Sequence, residues 1–378
     1  MPAELCPLLY ASTHQSADVL YLGGVSVPDP ILALVCHGRS IAVVNRLEYA
    51  RVRRDGRFDE VLSWETWAAK AREKFGQRTK LPVDILRLLA EEFDLPGFLV
   101  PHDFPTGLAF DLKNRRLKVK VAEGMIFPQR AFKRDDEAAG IRAGNAASAG
   151  GFRVVENALR ASAVRDGKLY FEGDYLTSER LQRLIEIDCL QRGAESHDTI
   201  VAGGDQACDP HHRGAGPLRP NELIVVDIFP KDLASGYHGD MTRTYLKGKA
   251  SEQQRVLVET VLEAQQTVLK QHVAGANGRD LYQWVCEFFE SKGFKTEDRD
   301  GVPVGFFHGL GHGLGLEVHE PPRVSRIDDV LQPGHVVTVE PGLYYPGLGG
   351  CRIEDVVRIR ENGAPELLSE HPYDWEIA

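Results

Sequence analysis

The chain is poor in the features that mark secreted, membrane or nucleic-acid-binding proteins. Its 378 residues include only six cysteines, Cys6, Cys36, Cys189, Cys208, Cys286 and Cys351, set far apart with no C-x-x-C pair. That spacing argues against a disulfide framework or a zinc knuckle and favours a reducing compartment. The N-terminal stretch MPAELCPLLYASTHQSADVL has neither a basic start nor a sustained apolar run, so no secretory leader is expected. The longest early apolar stretch, Ile31–Cys36, is far too short to cross a bilayer. Positive charge is in deficit, with 45 Lys and Arg against 55 Asp and Glu and a net charge of −10. Phosphate binding needs a clustered basic surface, so nucleic acid is not an expected partner. Repeats and low-complexity tracts are also missing. These absences predict a cytoplasmic protein with no membrane partner. A composition 43% hydrophobic and 26% charged suits a folded globular chain.

At roughly 150 residues per domain the length predicts two domains. The pattern of elements breaks around Met125–Lys133, where Pro128 interrupts it, which sets the expected domains at 1–131 and 132–378. Charge divides unevenly across that break. Residues 1–131 hold 18 basic and 16 acidic side chains, whereas 132–378 hold 27 and 39. A carboxylate excess confined to one part fits either a solvated acidic face or a multivalent cation site, and composition does not choose between them.

In the first part, Ile31–Cys36 and Ile41–Asn45 read as a hairpin across His37-Gly38-Arg39-Ser40. Trp64–Phe75 and Val83–Phe93 have apolar residues at helical spacing. Gly97–Val100 and Leu117–Val121 read as strands around a short helix at Phe104–Leu112, so this part is a small α/β domain. Trp64 and Trp67 are placed on a helix where packing explains them better than an aromatic cage. In the second part a long helix opens at the acids Asp135-Asp136-Glu137, which suit a positive helix N-terminus, and runs through Arg160. Further helices cover Ser178–Gln191 behind an N-cap at Thr177, a long stretch opened by Ser251, and Arg279–Lys292. Strands are expected at Leu223–Asp227, Met241–Leu246, Val336–Glu340 and Arg352–Ile359. Helices and strands are grouped rather than strictly alternating, so the second part belongs to the α+β class.

Each of these strand segments carries or adjoins an acid where a buried apolar run would not want one. Leu223-Ile-Val-Val-Asp227 and Val336-Val-Thr-Val-Glu340 end in one, Arg352-Ile353-Glu354-Asp355 contains two, and Gly239-Asp240 precedes Met241-Thr-Arg-Thr-Tyr245. A single strand-end acid reaches solvent or an Arg without further consequence. Four together, in the acid-rich part, shift the reading toward bound cations, because an isolated buried carboxylate is costly. The segment Phe306-Phe-His308-Gly-Leu-Gly-His312-Gly-Leu-Gly-Leu-Glu-Val-His319-Glu320 adds three histidines, and its glycines at 305, 309, 311, 313 and 315 argue against a helix. In an extended conformation those glycines share one face, with His308, Leu310, His312 and Leu314 on the other, and glycine there lets something approach the backbone. A phosphate-cradling loop is the competing reading, weakened because no Lys-Ser/Thr follows. One His with several carboxylates suits Mn, Co, Zn or Fe, and the donor count allows two ions to share a site, as in two-metal hydrolysis.

Taken together, GHGLGLEVHEPP, TVEPGLY, RIEDVV and the pair VVD…GDMTRT resemble the pita-bread metallopeptidases, specifically the Xaa-Pro branch of prolidase and aminopeptidase P. The resemblance covers about 240 residues of the second part, and the α/β domain before it resembles the N-terminal domain of that branch. It implies two divalent ions, Mn²⁺ first and Zn²⁺ or Co²⁺ as alternatives, held by Asp227, Asp240, His312, Glu340 and Glu354, with Asp240 and Glu354 shared. It implies Glu340 as the proton carrier, His319 beside the substrate carbonyl, and His308 and His211 lining the pocket, with His212 the lesser choice for the last. It also implies a homodimer acting on small peptides with proline second. Arg352 resembles the Arg packed beside the bridging Glu.

A dipeptidase needs a clamp for a free carboxylate, which an Arg fork supplies. Arg352 lies in the right motif, and Arg46 is a second candidate against its reading as a solvated helix-start charge. The expectation is therefore a prolidase, with aminopeptidase P as the alternative. Metal-free relatives of this superfamily serve as amidinohydrolases or scaffolds, and the intact set of five ligand types argues against that assignment. One departure stands out. The connection from Asp227 to Asp240 is longer than the family's short turn, which raises the question of whether Asp232 or His238 intrudes on the site.

Overall fold

The computed structural model describes residues 5–76 and 78–378, so the first four residues of the N-terminal stretch lie outside the described residues. The chain forms two compact units, Met1–Arg130 and Ala131–Ala378. Among the described residues no helix is long and apolar enough to cross a membrane. Cys36, Cys189, Cys208, Cys286 and Cys351 carry free thiols.

The first unit is built on a six-stranded sheet in the order Glu60–Ser63, Arg39–Val44, Ile31–Cys36, Cys6–Ala11, Phe98–Val100, Val119–Val121. Its inner strands are apolar at nearly every position because both faces are covered. Successive side chains alternate between faces. Thus Leu8, Leu32, Leu34, Ile41 and Val43 pack with the helices Trp64–Phe75 and Val83–Glu92, while Leu9, Ile31, Ala33, Ala42 and Val44 pack with Val19 and Val52 of two other helices. The hairpin is tighter than the sequence suggests. Only His37 and Gly38 form the turn, both with positive φ (50° and 73°), so that Cys36 pairs with Arg39. Trp67 is buried and stacked on Phe93 at 6.1 Å, as a core residue rather than a cage wall.

The second unit contains two helix-backed sheets. In one, Ile200–Gly203, Leu223–Ile228, Met241–Lys247 and Glu376–Ile377 are backed by helices Asp135–Ala161 and Ser178–Gln191. In the other, Glu320–Val324, Gly311–Gly313, Val336–Val339, Asp355–Arg358 and Glu366–Leu367 share a core with helices Glu252–Leu269 and Gly278–Ser291. Helix starts follow the side-chain chemistry: Thr177 accepts from Arg180 N–H, and Ser251 with Gln254 forms a reciprocal capping pair.

Period-2 alternation then sorts the strands. Ile224, Val226, Ile228, Met241 and Tyr245 face one helix pair, which turns Asp227, Thr242 and Thr244 the other way. Val337 and Val339 face the other core, which turns Thr338 and the following Glu340 away from it. The expected strand Arg352–Ile359 is in fact two, Gly349–Arg352 paired with Gly342–Tyr345 and Asp355–Arg358 paired with Val336–Val339. The chain changes sheets across Ile353-Glu354, so Glu354 sits at a junction rather than inside a strand.

One core residue makes the second unit acid-sensitive. His272 is fully buried, its Nδ1 donates to Val268 O at 2.8 Å, and its Nε2 has no partner. Burial holds it at about 4, below its ordinary 6.5. The neutral form is the native one, so the unfolded chain takes up the proton first and stability is lost as pH falls from 6.5 toward 4. Replacing it by Leu should remove this component, worth up to about 3 kcal/mol. Unfolding of wild type and His272→Leu at pH 7.5 and pH 4.5 should show the stability gap moving in favour of the variant at the lower pH. A gap independent of pH would contradict the assignment.

Candidate metal centre

The polar faces described above meet in one cavity of about 710 Å³, whose lining includes Asp227, Asp240, His312, Glu340, His308 and His319. Donor atoms of Asp240, His312 and Glu354, all buried, lie within 4.8 Å of one another. Each is placed by its backbone neighbours. The Asp240 N–H donates to Asn145 Oδ1 at 2.8 Å. The Glu354 N–H donates to Thr242 O at 3.0 Å, and its carboxylate accepts from Thr242 Oγ1 at 2.7 Å. His312 Nδ1 sits 3.1 Å from Gly313 O and donates to it, which leaves the Nε2 lone pair free. That Nε2 lies 3.6 Å from Asp240 Oδ2 and 3.5 Å from Glu340 Oε1. Atoms that each sit about 2 Å from a shared ion are spaced by about 3–3.5 Å.

Asp227 differs from the rest. Its Oδ2 accepts from Arg352 Nη2 at 2.8 Å, while Oδ1 is buried without a hydrogen-bond partner. A buried carboxylate oxygen without a donor, at the wall of an acid-lined cavity, is suited to ligate a cation. The acidities agree. Burial, then the neighbouring carboxylates, push Asp240 and Glu354 well above the usual carboxylate range, and burial raises Glu340 to about 7 despite Arg352. Burial lowers His312 to about 3, so its ring is a neutral donor of electron pairs. A set of crowded oxygens and one neutral imidazole fits divalent cations of hard-to-borderline character.

Glycines beside these ligands serve backbone contact rather than ligand approach. A Cβ on Gly311 would stand 2.0 Å from Thr338 O, and one on Gly239 would stand 2.2 Å from the Gly144 carbonyl carbon. Gly311 thus lets the His312 strand lie against Val336–Val339, and Gly239 lets the Asp240 loop lie against the long helix. The extended alternation expected around His308 holds only for Gly311–Gly313, and Leu310 turns into the core.

The other expected residues are placed as follows. His308 Nδ1 donates to Gly309 O at 2.7 Å, so its Nε2 accepts from Tyr344 OH at 2.9 Å. The His319 ring is T-shaped against His312 at 4.4 Å, and burial, with help from Arg323, lowers its pKa. His211 lines the cavity, while the His212 ring accepts from Gly214 N–H at 2.9 Å and holds a turn. Arg352 also lines the cavity, but its guanidinium is committed to Asp227, Tyr344 OH at 3.1 Å and Thr242 Oγ1 at 3.3 Å. It therefore holds Asp227, a task that competes with clamping a substrate carboxylate. Arg46 starts a helix of the first unit, where it is exposed and its N–H donates to Glu65 at 2.9 Å. The long Asp227–Asp240 connection turns away from the site: Asp232 accepts from Ser235, and the His238 backbone N–H donates to Gly315 O.

Sequence reasoning missed Tyr344, Asn145 and Arg323. Arg323 stands opposite His312 in strand register and is exposed, and its charge helps lower both His312 and His319. Its only signal was an Arg directly after the HEPP run.

Residues 139–361 match the model of metallopeptidase family M24. The chain belongs to that family. An Xaa-Pro dipeptidase of Pyrococcus furiosus is 40% identical over 221 residues, which is 56% of this chain and 61% of the relative. Over the first curated relatives, the matched stretch spans only 50–61% of their length. Among solved structures, the prolidase from Pyrococcus furiosus has TM-score 0.75 at 25% identity, covering 97% of this chain and 96% of that one. The X-Pro aminopeptidase from Thermotoga maritima has TM-score 0.80 at 24% identity, covering 99% and 97%, a likeness of fold. The M24 unit thus has the pita-bread fold, with an α/β unit before it in the chain, as the α+β reading expected. Membership of M24 implies divalent metal ions, and the residues above fit them.

Gly311→Ala should cost about 1–3 kcal/mol through overpacking and displace His312. Thermal unfolding together with the metal content of the purified protein checks this. A variant with unchanged stability and metal content would show that the close strand contact does not set the His312 position.

Proposed function

We propose that the M24 unit hydrolyses the Xaa-Pro bond at the N-terminus of dipeptides, the prolidase reaction, using two divalent ions with Mn²⁺ the first choice over Zn²⁺ and Co²⁺. The observation that carries this reading is the convergence of Asp240, His312 and Glu354, the first two lining one acid-lined cavity with Asp227 and Glu340. The 40%-identical relative, an Xaa-Pro dipeptidase, supports the substrate class. Asp227 would hold one ion, His312 and Glu340 the other, with Asp240 and Glu354 shared. When bound, such ions supply the Lewis acidity that makes water nucleophilic near neutral pH.

The chain's own groups do the rest. Glu340, whose acidity burial brings close to neutral, takes a proton and returns it to the departing proline nitrogen. His319, neutral by burial, donates its ring N–H to the oxyanion that develops at the scissile carbonyl. His308, held by Tyr344 and Gly309, and His211 wall the substrate cavity. The exposed Arg323 of this same unit is the candidate to receive a dipeptide's free carboxylate, a task for a fork-shaped donor. We read the protein as a cytoplasmic homodimer.

A second reading, aminopeptidase P acting on longer Xaa-Pro peptides, is favoured by the fold likeness to the X-Pro aminopeptidase from Thermotoga maritima. Hydrolysis of an Xaa-Pro dipeptide and an Xaa-Pro-Yaa tripeptide, side by side after chelation and Mn²⁺ return, separates the two. The dipeptide should be cleaved, the activity should vanish on chelation and return with Mn²⁺, and Asp240→Ala should lower kcat/KM by at least about a hundredfold. Cleavage of the tripeptide alone would make it an aminopeptidase P. Inertness toward both with metal bound would contradict the substrate assignment.

A further inference from the structure

Behind the shared carboxylates, the segment Leu368–Tyr373 gathers an unusual number of bonds that end one residue away from a ligand. Leu368 O accepts from Asn145 Nδ2 at 3.0 Å, and the same amide's Oδ1 accepts from the Asp240 N–H at 2.8 Å. Asn145 is almost fully buried, and it sits on the long helix beside Gly144, against which the Asp240 loop is pressed. On the other side Asp355, next to Glu354, accepts from Ser369 Oγ at 2.9 Å, Tyr373 OH at 2.9 Å and Gln265 Nε2 at 2.6 Å. The buried Arg243 closes the set. Its guanidinium donates to Glu354 O at 2.7 Å, to Asp355 at 2.9 Å, and to the carbonyls of His371 and Pro372 at 3.0 and 3.2 Å.

The strands themselves are already paired through their backbones, so these bonds add to that pairing. Each instead fixes the backbone from which Asp240 or Glu354 projects, and both chains of bonds end on the same six-residue segment. Two carboxylates that must converge on common ions repel one another when bare, so their separation has to be held from behind. We propose that Asn145 and Leu368–Tyr373 form a buttress that sets the spacing of Asp240 and Glu354 and hence the affinity of the centre for its cation, with Asn145 and Tyr373 as positioning residues. This rests on the reading that the centre binds divalent cations. Positioning groups behind metal ligands are typically worth about 10–100-fold in affinity.

The test is calorimetric titration of Mn²⁺ into the metal-stripped full chain, for wild type, Asn145→Ala and Tyr373→Phe. Wild type should bind Mn²⁺ stoichiometrically. Asn145→Ala should bind at least tenfold more weakly, and Tyr373→Phe, which removes only a hydroxyl from Asp355, should weaken binding in the same direction while the metal-free thermal midpoint stays unchanged. Wild-type affinity in Tyr373→Phe together with wild-type affinity, or failure to fold, in Asn145→Ala would overturn the buttress. No Mn²⁺ binding by wild type would overturn the cation reading itself, and the buttress with it.

Discussion

Repulsion among buried carboxylates is the constraint around which the second unit is organised. Asp227, Asp240, Glu340 and Glu354 share one cavity region with His312, and Arg352 is bonded to only the first of them. In a low-dielectric interior such a cluster either takes up protons or holds cations. The raised pKa values of Asp240, Glu354 and Glu340 correspond to the first response, and the partnerless Asp227 oxygen suits the second. A protein gains nothing in stability from keeping these groups together without a cation, so their convergence is the strongest functional statement the structure makes.

The fold meets this constraint with ordinary means. Strand alternation sends aliphatic side chains into two helix-backed cores and leaves Asp227, Thr242, Thr244 and Glu340 on the opposite faces. Glycine at 239 and 311 lets backbones close to a distance no side chain would permit. Thr242, Thr244 and Thr338 then bond across, to the Glu354 carboxylate, the Arg352 backbone and the His312 N–H respectively. Asp240, Glu340 and Glu354 sit at strand ends or just past them, whereas Asp227 and His312 lie within paired strands.

Much of this was legible in the sequence because it depends on local pattern. The acids at Asp227 and Glu340 interrupt otherwise apolar runs, the glycines around His312 forbid a helix, and the helix starts at Thr177 and Ser251 announce themselves by capping chemistry. Motif order carried the family. What stayed hidden depends on tertiary contact. The break at Ile353-Glu354 lies inside a run that reads as one strand, and only the pairing of its halves with different partners reveals it. Asn145 is one polar residue among small ones on a helix, and nothing local says that it meets Asp240 some 95 residues away. Nothing local in the sequence says that Arg352 meets Asp227. The helix Arg46–Asp55 was legible only at its start, because it is mostly charged and buries only Val52.

The central claim is that these five side chains converge to hold divalent ions. Anomalous diffraction from crystals of the full chain soaked in Mn²⁺ tests it most directly. The account predicts two anomalous peaks flanked by Asp240 and Glu354, one also beside Asp227 and the other beside His312 and Glu340. A cavity without a peak, or peaks confined to other acidic side chains, would contradict it.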